Sequence, residues 1–274
     1  MTRMLLTEGR GLFDEYIVCF ANTGREHPKT LDFIKKCDDE FGFNTVWLEA
    51  VVDQRKGKQI THKVIDYDTA SRDGQPFEDV IRKYGIPNVS RPHCSDKLKK
   101  YVMSSYIRSL GLKASRVPTA IGIRNDESRR VSGTEADVIY PLIDIWSVDR
   151  EHILLWWEDQ TFDLEIDEFE GNCQACYKKS FHKLHLQMER DQSVFDWTDE
   201  MERKYGHINA RSKSPYKNNS KVWEEKRGCR SVFFRGGKST QDLRDEHVRL
   251  QGNYRKPPED EGGCSESCEP FATG

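Results

Sequence analysis

Cys173 and Cys176 stand two residues apart in GNCQACYKKS, the tightest spacing at which two thiolates reach one metal. Cys94 lies far upstream in RPHCSDK, also in a polar loop beside a helix start. Brought together, three thiolates suit an iron–sulfur cluster or zinc; the alternatives are a redox pair or plain thiols. A second reactive group is GIRNDESRR, where Arg124, Arg129 and Arg130 share one loop. Guanidinium groups clamp phosphate or sulfate in a bidentate way. Asp126 and Glu127 would orient these arginines or bind a metal-bridged phosphate, and the plain reading is a solvated charged loop. RGGKST at 235–240 offers Arg235 and Lys238 to an anion, or is a simple surface turn. It is not a P-loop, because Val232 stands where that pattern needs its first glycine. KKSFHKLHLQMER sets Lys179, His182 and Lys183 just beyond the cysteine pair. They suit a sulfur-bearing anion, a nucleic-acid backbone or merely a solvated helix face.

These groups need a frame. YIVCFA at 16–21 and TVWLEAVV at 45–52 are short apolar runs that read as buried strands. Between them HPKTLDFIKKCDDEFG carries apolar residues at helical spacing. Strand, helix, strand predicts a βαβ unit and a parallel sheet. Ligands of such sheets bind beyond the strands' carboxyl ends, where Asn22, Thr23 and Gly24 lie. Gly24 permits a tight turn, and Thr23 offers a hydroxyl and backbone N–H groups; the plain reading is a turn. Residues 58–69 predict a β-ribbon. PFEDVIRKYG predicts a helix stopped at Gly85, and DKLKKYVMSSYIRSLG a helix of about 15 residues ending on glycine. PTAIGI is a short strand, residues 147–158 a helix with Ser147 as N-cap, and KKSFHKLHLQMER and DWTDEMERKYG are helices.

The 274 residues suffice for one large core, alone or with an appendage. A formal charge of −3 does not favour general attraction to nucleic acid, although local basic patches remain open. No run nears the roughly 18 apolar residues of a membrane helix, and no signal peptide stands at the start, so no membrane partner is expected. A cytoplasmic location follows, in which the eight cysteines are not structural disulfides. Cys19 in a strand and Cys37 on a helix read as buried structural thiols. Beyond about residue 208 the composition turns to Ser, Lys, Asn, Arg and Gly, and the last 25 or so residues read as disordered.

FANTGREHPKTLDFI, YDTASRDGQPFEDVIRKYGIPN, HCSDKLKKYV, GIRNDESRR, YPLIDIW and GNCQACYKKS occur in this order over roughly residues 16–205. The series resembles the phosphoadenosine phosphosulfate (PAPS) reductase family of the adenine-nucleotide α-hydrolase-like (PP-loop) group, in its phage and bacterial PAPS reductase-like branch. The resemblance implies an α/β fold: a Rossmann-like three-layer α/β/α sandwich with a mainly parallel sheet, plus a C-terminal helical or irregular extension. It implies a nucleotide-binding domain over 1–205, an extension over 206–250 and a disordered tail over 251–274.

It further implies an adenine nucleotide, adenylyl sulfate or ATP, held by Asn22, Thr23, Gly24, Glu26, His27, Gly122, Arg124, Asp126 and Arg130. A [4Fe-4S] cluster is implied on Cys94, Cys173 and Cys176, with zinc as the alternative. Cluster-bearing members have two adjacent cysteines where this chain has His93-Cys94, so the fourth ligand falls to Cys229, with His93 or His182 as others. A thiol donor such as thioredoxin would be the partner. Members open with a Ser-Gly-Gly-x-x-Ser loop that grips the phosphates. Here MTRMLLTEGRG is similar to the second half of the helix that follows that loop, which implies a late start or a natural loss. Gly236 and Gly237 match the loop's glycines, but Arg235 stands where it has serine. Members also carry a nucleophilic cysteine in Glu-Cys-Gly-x-His. GCSESCEP does not match it, leaving Cys264 and Cys268 as a mobile redox pair or exposed tail residues. Two further readings stand beside the reductase: a nucleic-acid-modifying sulfurtransferase or ATP pyrophosphatase, related to DNA phosphorothioation and tRNA thiolation enzymes, and a non-catalytic remnant.

Overall fold

The structure, a computed structural model, describes residues 1–131, 137–171, 173–208 and 231–254. Cys229, Cys264 and Cys268 lie outside the described residues, as does the expected tail from 255 on. The fold is mixed α/β. Helix α1 (Thr2–Thr7) precedes strand β1 (Cys19–Asn22), helix α2 (Pro28–Phe41) and strand β2 (Val46–Val52). α2 begins where Pro28 cannot use an N–H and where His27 Nδ1 accepts from Lys29 N at 3.2 Å. It stops at Gly42, in the left-handed conformation that glycine adopts at low cost. β1 and β2 pair in parallel, Cys19 opposite Val46 through Asn22 opposite Glu49. The expected βαβ unit is present.

The ribbon predicted over 58–69 is strand β3 (Ile60–Ile65), which returns antiparallel along β2. The three-stranded sheet, order β1-β2-β3, thus joins one parallel and one antiparallel pairing. A separate pair, β4 (Thr119–Ala120) and β5 (Val138–Ile139), is parallel. Side chains of β2 alternate, as a pleated strand requires. Trp47 points to a small cluster with Leu31 of α2 and Ala70. Leu48 and Ala50 point the other way, into the main core. That core gathers helix α3 (Gln75–Tyr84) through Phe77, Val80 and Ile81, and helix α4 (Tyr101–Ser109) through Val102. It also takes Phe195, Met201 of helix α8 (Asp196–Tyr205), and Phe233, Phe234 and Leu243 from the C-terminal segment. The described part of that segment is therefore built into the same core.

Two local readings change. The helix predicted over 147–158 is α6 (Arg150–Glu158); it follows the four-residue α5 (Pro141–Asp144). Its N-cap is Asp149, whose N–H in turn donates to His152 Nδ1, while Ser147 sits at φ 52° outside it. The helix predicted from DKLKK begins as a π-helical turn, Asp96–Lys100, before α4. RGGKST forms a 3₁₀ turn, Arg235–Gly237, and Ser239 caps helix α9 (Thr240–Leu250) in a capping box with Asp242. Helix α7 (Phe181–Arg190) begins at the Ser180 N-cap, as KKSFHKLHLQMER predicted. Among the described residues no helix is long and apolar enough to cross a membrane.

Candidate functional site

Chain direction alone puts Asn22, Thr23 and Gly24 at the carboxyl end of β1, and hydrogen bonds then fix the turn. Asn22 is fully buried; its Nδ2 donates to Glu49 Oε1 at 2.6 Å and to the Ser71 carbonyl at 2.8 Å. Its Oδ1 accepts from Gly24 N at 3.1 Å. Glu26 folds back on the turn, its Oε2 accepting from Thr23 N at 3.0 Å and its Oε1 from the Thr23 hydroxyl at 2.9 Å. Gly24 lies at φ 78°, and a β-carbon there would stand 3.0 Å from the backbone of Gly74. Both the backbone angle and the close approach call for glycine.

The cysteine pair comes to this turn through its backbone. Glu26 and Cys173 form an antiparallel bridge, and Gln174 N donates to the Arg25 carbonyl at 2.7 Å. The loop closes around Ala175 at φ 50°, with Gln187 Oε1 of α7 accepting from Ala175 N at 3.3 Å. Cys173 Sγ stands 3.5 Å from the Thr23 hydroxyl and 3.9 Å from Glu26 Oε1. Cys173 and Cys176 pack on each other, each 8% exposed. Cys94 reaches the same place just before the π-helical turn, its Sγ 3.2 Å from the Tyr177 hydroxyl.

Thr23, Cys94, Cys173 and Cys176 therefore line one narrow cleft, together with Ser95, Lys99 and Trp197. Ser95 is 6% exposed, and its buried hydroxyl has no hydrogen-bond partner among the described residues. Arg25 is buried beside the cleft, its guanidinium 4.8 Å from the Trp197 ring centroid, its Nη2 donating to the Val194 carbonyl at 3.0 Å. Burial pulls the Arg25 pKa down, against the opposing pull of Cys173, Glu26 and Asp73. The three thiols are of the donor type that holds zinc or an iron–sulfur cluster. Among the described residues, however, no three His, Cys, Asp or Glu side chains already stand as a metal-holding group.

The remaining predicted residues lie elsewhere. Arg124 pairs with Asp126 in a two-pronged contact, Nε to Oδ1 at 3.0 Å and Nη2 to Oδ2 at 3.1 Å, and Arg130 pairs with Glu127. Asp126 also accepts from Arg150 N at 3.1 Å, which ties the loop to α6. Gly122 is exposed, near Met1. None of these lines the cleft. His27 caps α2, and burial lowers its pKa. Neither His93 nor His182 lines the cleft. Arg235 Nη2 donates to the Lys178 carbonyl at 2.5 Å, and Lys238 Nζ to Glu246 Oε2 at 2.6 Å. Buried Lys179 donates to the Phe169 carbonyl at 2.8 Å. Tyr177, Ser95, Trp197 and Arg25 were not among the predicted site residues. The adjacency of Tyr177 to Cys176 was the one usable signal.

No family model matches the chain, and no solved structure matches it. The chain is similar to the "Uncharacterized nin region protein ORF290" of Escherichia phage lambda, 28% identical over 261 residues that cover 92% of this chain and 84% of that protein.

Proposed function

We propose that this chain is a PAPS reductase-like protein on a Rossmann-like three-layer α/β/α frame, which binds an adenine nucleotide beyond β1 and performs sulfur chemistry with the cleft cysteines. One observation carries the reading: three thiols from two distant segments line a single cleft with Thr23, at the carboxyl end of a parallel strand. The Ser95 hydroxyl, without a hydrogen-bond partner among the described residues, is a group a sulfonyl or phosphoryl oxygen would meet there. An external dithiol donor such as thioredoxin supplies the two electrons that convert the sulfonyl sulfur to sulfite and ends as its disulfide, while the adenosine phosphate leaves with the bridging oxygen. Cys94, Cys173 and Cys176 would hold a [4Fe-4S] cluster, with Cys229 as fourth ligand; when bound it would supply a low-potential one-electron centre beside the reacting sulfur.

The test is anaerobic purification of the full chain, followed by iron, zinc and acid-labile sulfide analysis and the visible spectrum. Melting curves with adenylyl sulfate, PAPS and ATP follow, and then sulfite release with thioredoxin. Expected are iron with sulfide, a nucleotide-dependent rise in melting temperature, and sulfite. Cys94→Ser and Cys173→Ser are expected to lose the metal and Cys37→Ser to keep it. A folded, colourless, metal-free protein that no adenine nucleotide stabilises overturns the reading.

A further inference from the structure

A broad groove of about 760 Å³ is lined by the 53–59 turn that joins β2 to β3, by the end of α3 and by α4 with the π-helical turn before it. Lys99 lines the cysteine cleft, whereas Lys100, the next residue, lines this groove. Its other cations are Lys56, Lys58, Lys83 and Arg108, and among the described residues no carboxylate side chain lines it. In a chain of net charge −3 this is a concentrated positive surface. The nearby Asp53 is taken up by Arg55, whose Nε donates to Oδ1 at 3.0 Å. Lys83 Nζ donates to the carbonyls of Asp53 at 2.5 Å and Lys58 at 2.7 Å. That contact shapes the turn, and its neutral carbonyl acceptors bring no negative charge to the groove.

The arrangement selects the kind of anion. Lys100, at the end of the π-helical turn, and Ser104 and Arg108 of α4 recur every four residues, a stripe of about 12 Å at 1.5 Å per residue. That is too long for one phosphate group and suits a chain of them. Two tyrosines, Tyr84 and Tyr101, stand among the cations. Lys97 Nζ lies 4.2 Å from the Tyr101 ring centroid and 4.9 Å from that of Tyr84, so a single cation braces both rings. Tyr101 remains 40% exposed, a large aromatic surface left to solvent in a phosphate-attracting groove. Lys97 and Lys100 come from the π-helical turn Asp96–Lys100, and Tyr101 follows it directly. Such turns recur at functional positions.

We infer that this groove binds single-stranded nucleic acid, its cations following the phosphates and Tyr101 stacking on an unpaired base. A basic groove with exposed aromatic rings is the general design for strands whose bases are not paired with each other. A duplex keeps its bases stacked inside and has no use for the ring. The inference rests on this groove alone and is independent of the chemistry of the cysteine cleft.

The test uses the full chain and fluorescein-labelled oligothymidylate and oligouridylate of about 20 nucleotides, with a duplex of the same length, read by anisotropy. Expected is saturable binding that is tighter for single strands than for the duplex. Between about 50 and 200 mM salt its log–log slope is expected near −2 to −4, about −0.7 per neutralised phosphate. Preference for either sugar supports the inference and names the natural strand. Lys56→Glu combined with Lys58→Glu lowers affinity about tenfold or more and flattens that slope. Tyr101→Ala lowers affinity about fivefold or more and leaves the slope unchanged, as loss of stacking without loss of charge requires. Cys173→Ser binds as the unaltered chain does, whatever becomes of its metal. Circular dichroism checks that each variant is folded, and Arg108→Glu serves as a second charge reversal. Absence of binding at low salt, preference for the duplex, indifference to charge reversal, or equal affinity for inorganic polyphosphate with no effect of Tyr101→Ala would each overturn the inference.

Discussion

Gly74 lies directly against the indole of Trp197: a β-carbon on Gly74 would stand 2.6 Å from Trp197 Nε1 and 2.7 Å from Arg25 Cδ. Gly74 also holds φ 85°. Trp197 lines the cleft and Gly24 also packs closely on Gly74, so this glycine holds the strand-end turn and a cleft wall together. Gly74→Ala therefore combines an unfavourable backbone angle with displacement of a packed ring. A loss of about 2–4 kcal/mol is expected in urea unfolding. A loss below about 1 kcal/mol would show that Trp197 moves freely, and that the cleft wall is not fixed by this contact.

Arg235 tests what an arginine in a glycine turn is for. Its Nη2 donates to the Lys178 carbonyl, two residues past Cys176, so it clamps the cysteine loop to the C-terminal segment. Arg235→Ala leaves that carbonyl without its charged donor and is expected to cost about 1–3 kcal/mol. Iodoacetamide labelling, mapped by mass spectrometry, should then reach Cys176 faster than in the unaltered chain. Unchanged stability with weakened nucleotide binding would instead favour a direct anion contact.

Much of the frame is legible in the sequence. YIVCFA and TVWLEAVV became β1 and β2 because short apolar runs between turn residues have few other places to go. α3 ends at Gly85, where glycine was read as a stop. The direction of β3 was not legible, because a ribbon's composition does not say which way it returns along its neighbour. The N-cap of α6 moved from Ser147 to Asp149 because the helix began later and the carboxylate could accept at its N-terminus. At the site, the cysteine spacing and the strand-end turn announced themselves by residue type. Ser95, Tyr177 and Trp197 did not, because each is an ordinary core or turn residue until the fold faces it to the cleft. Arg124 and Arg130 read as anion clamps, yet the nearest anions are in their own loop, and Asp126 and Glu127 take them.

Cys19 and Cys37 provide an internal contrast to the cleft. Burial pushes each thiol up to about 11. At pH 8 only about one molecule in a thousand then carries either thiolate. Iodoacetamide should label both very slowly in the folded chain at that pH and readily in urea. Because the folded pKa is raised, their stabilising effect is complete below the unfolded value near 9 and is lost as pH rises toward 11. Cys19→Ala should flatten the fall in stability over that window. Rapid labelling of Cys19 at pH 8 would contradict its burial.

His185 makes the fold sensitive to mild acid. Its ring stacks on Tyr254 at 5.0 Å between centroids and on His247 at 5.6 Å, joining α7 to the end of the C-terminal segment. Burial lowers its pKa from 6.5; Glu246, 3.9 Å from Nε2, opposes the shift, while His247, Lys238 and His182 add to it. Glu246 is already engaged by Lys238, so it is poorly placed to welcome a second cation. His185 is thus held neutral in the fold, whereas the unfolded chain takes up a proton near 6.5. Its stabilising contribution is present above that pH and is lost as pH falls from 6.5 toward the lower folded value. Melting temperatures from roughly pH 7.5 down to 5 should therefore fall, and fall less steeply in His185→Gln. Parallel curves for the two proteins would mean that the proton is taken up elsewhere and that this stack is not the acid-sensitive joint.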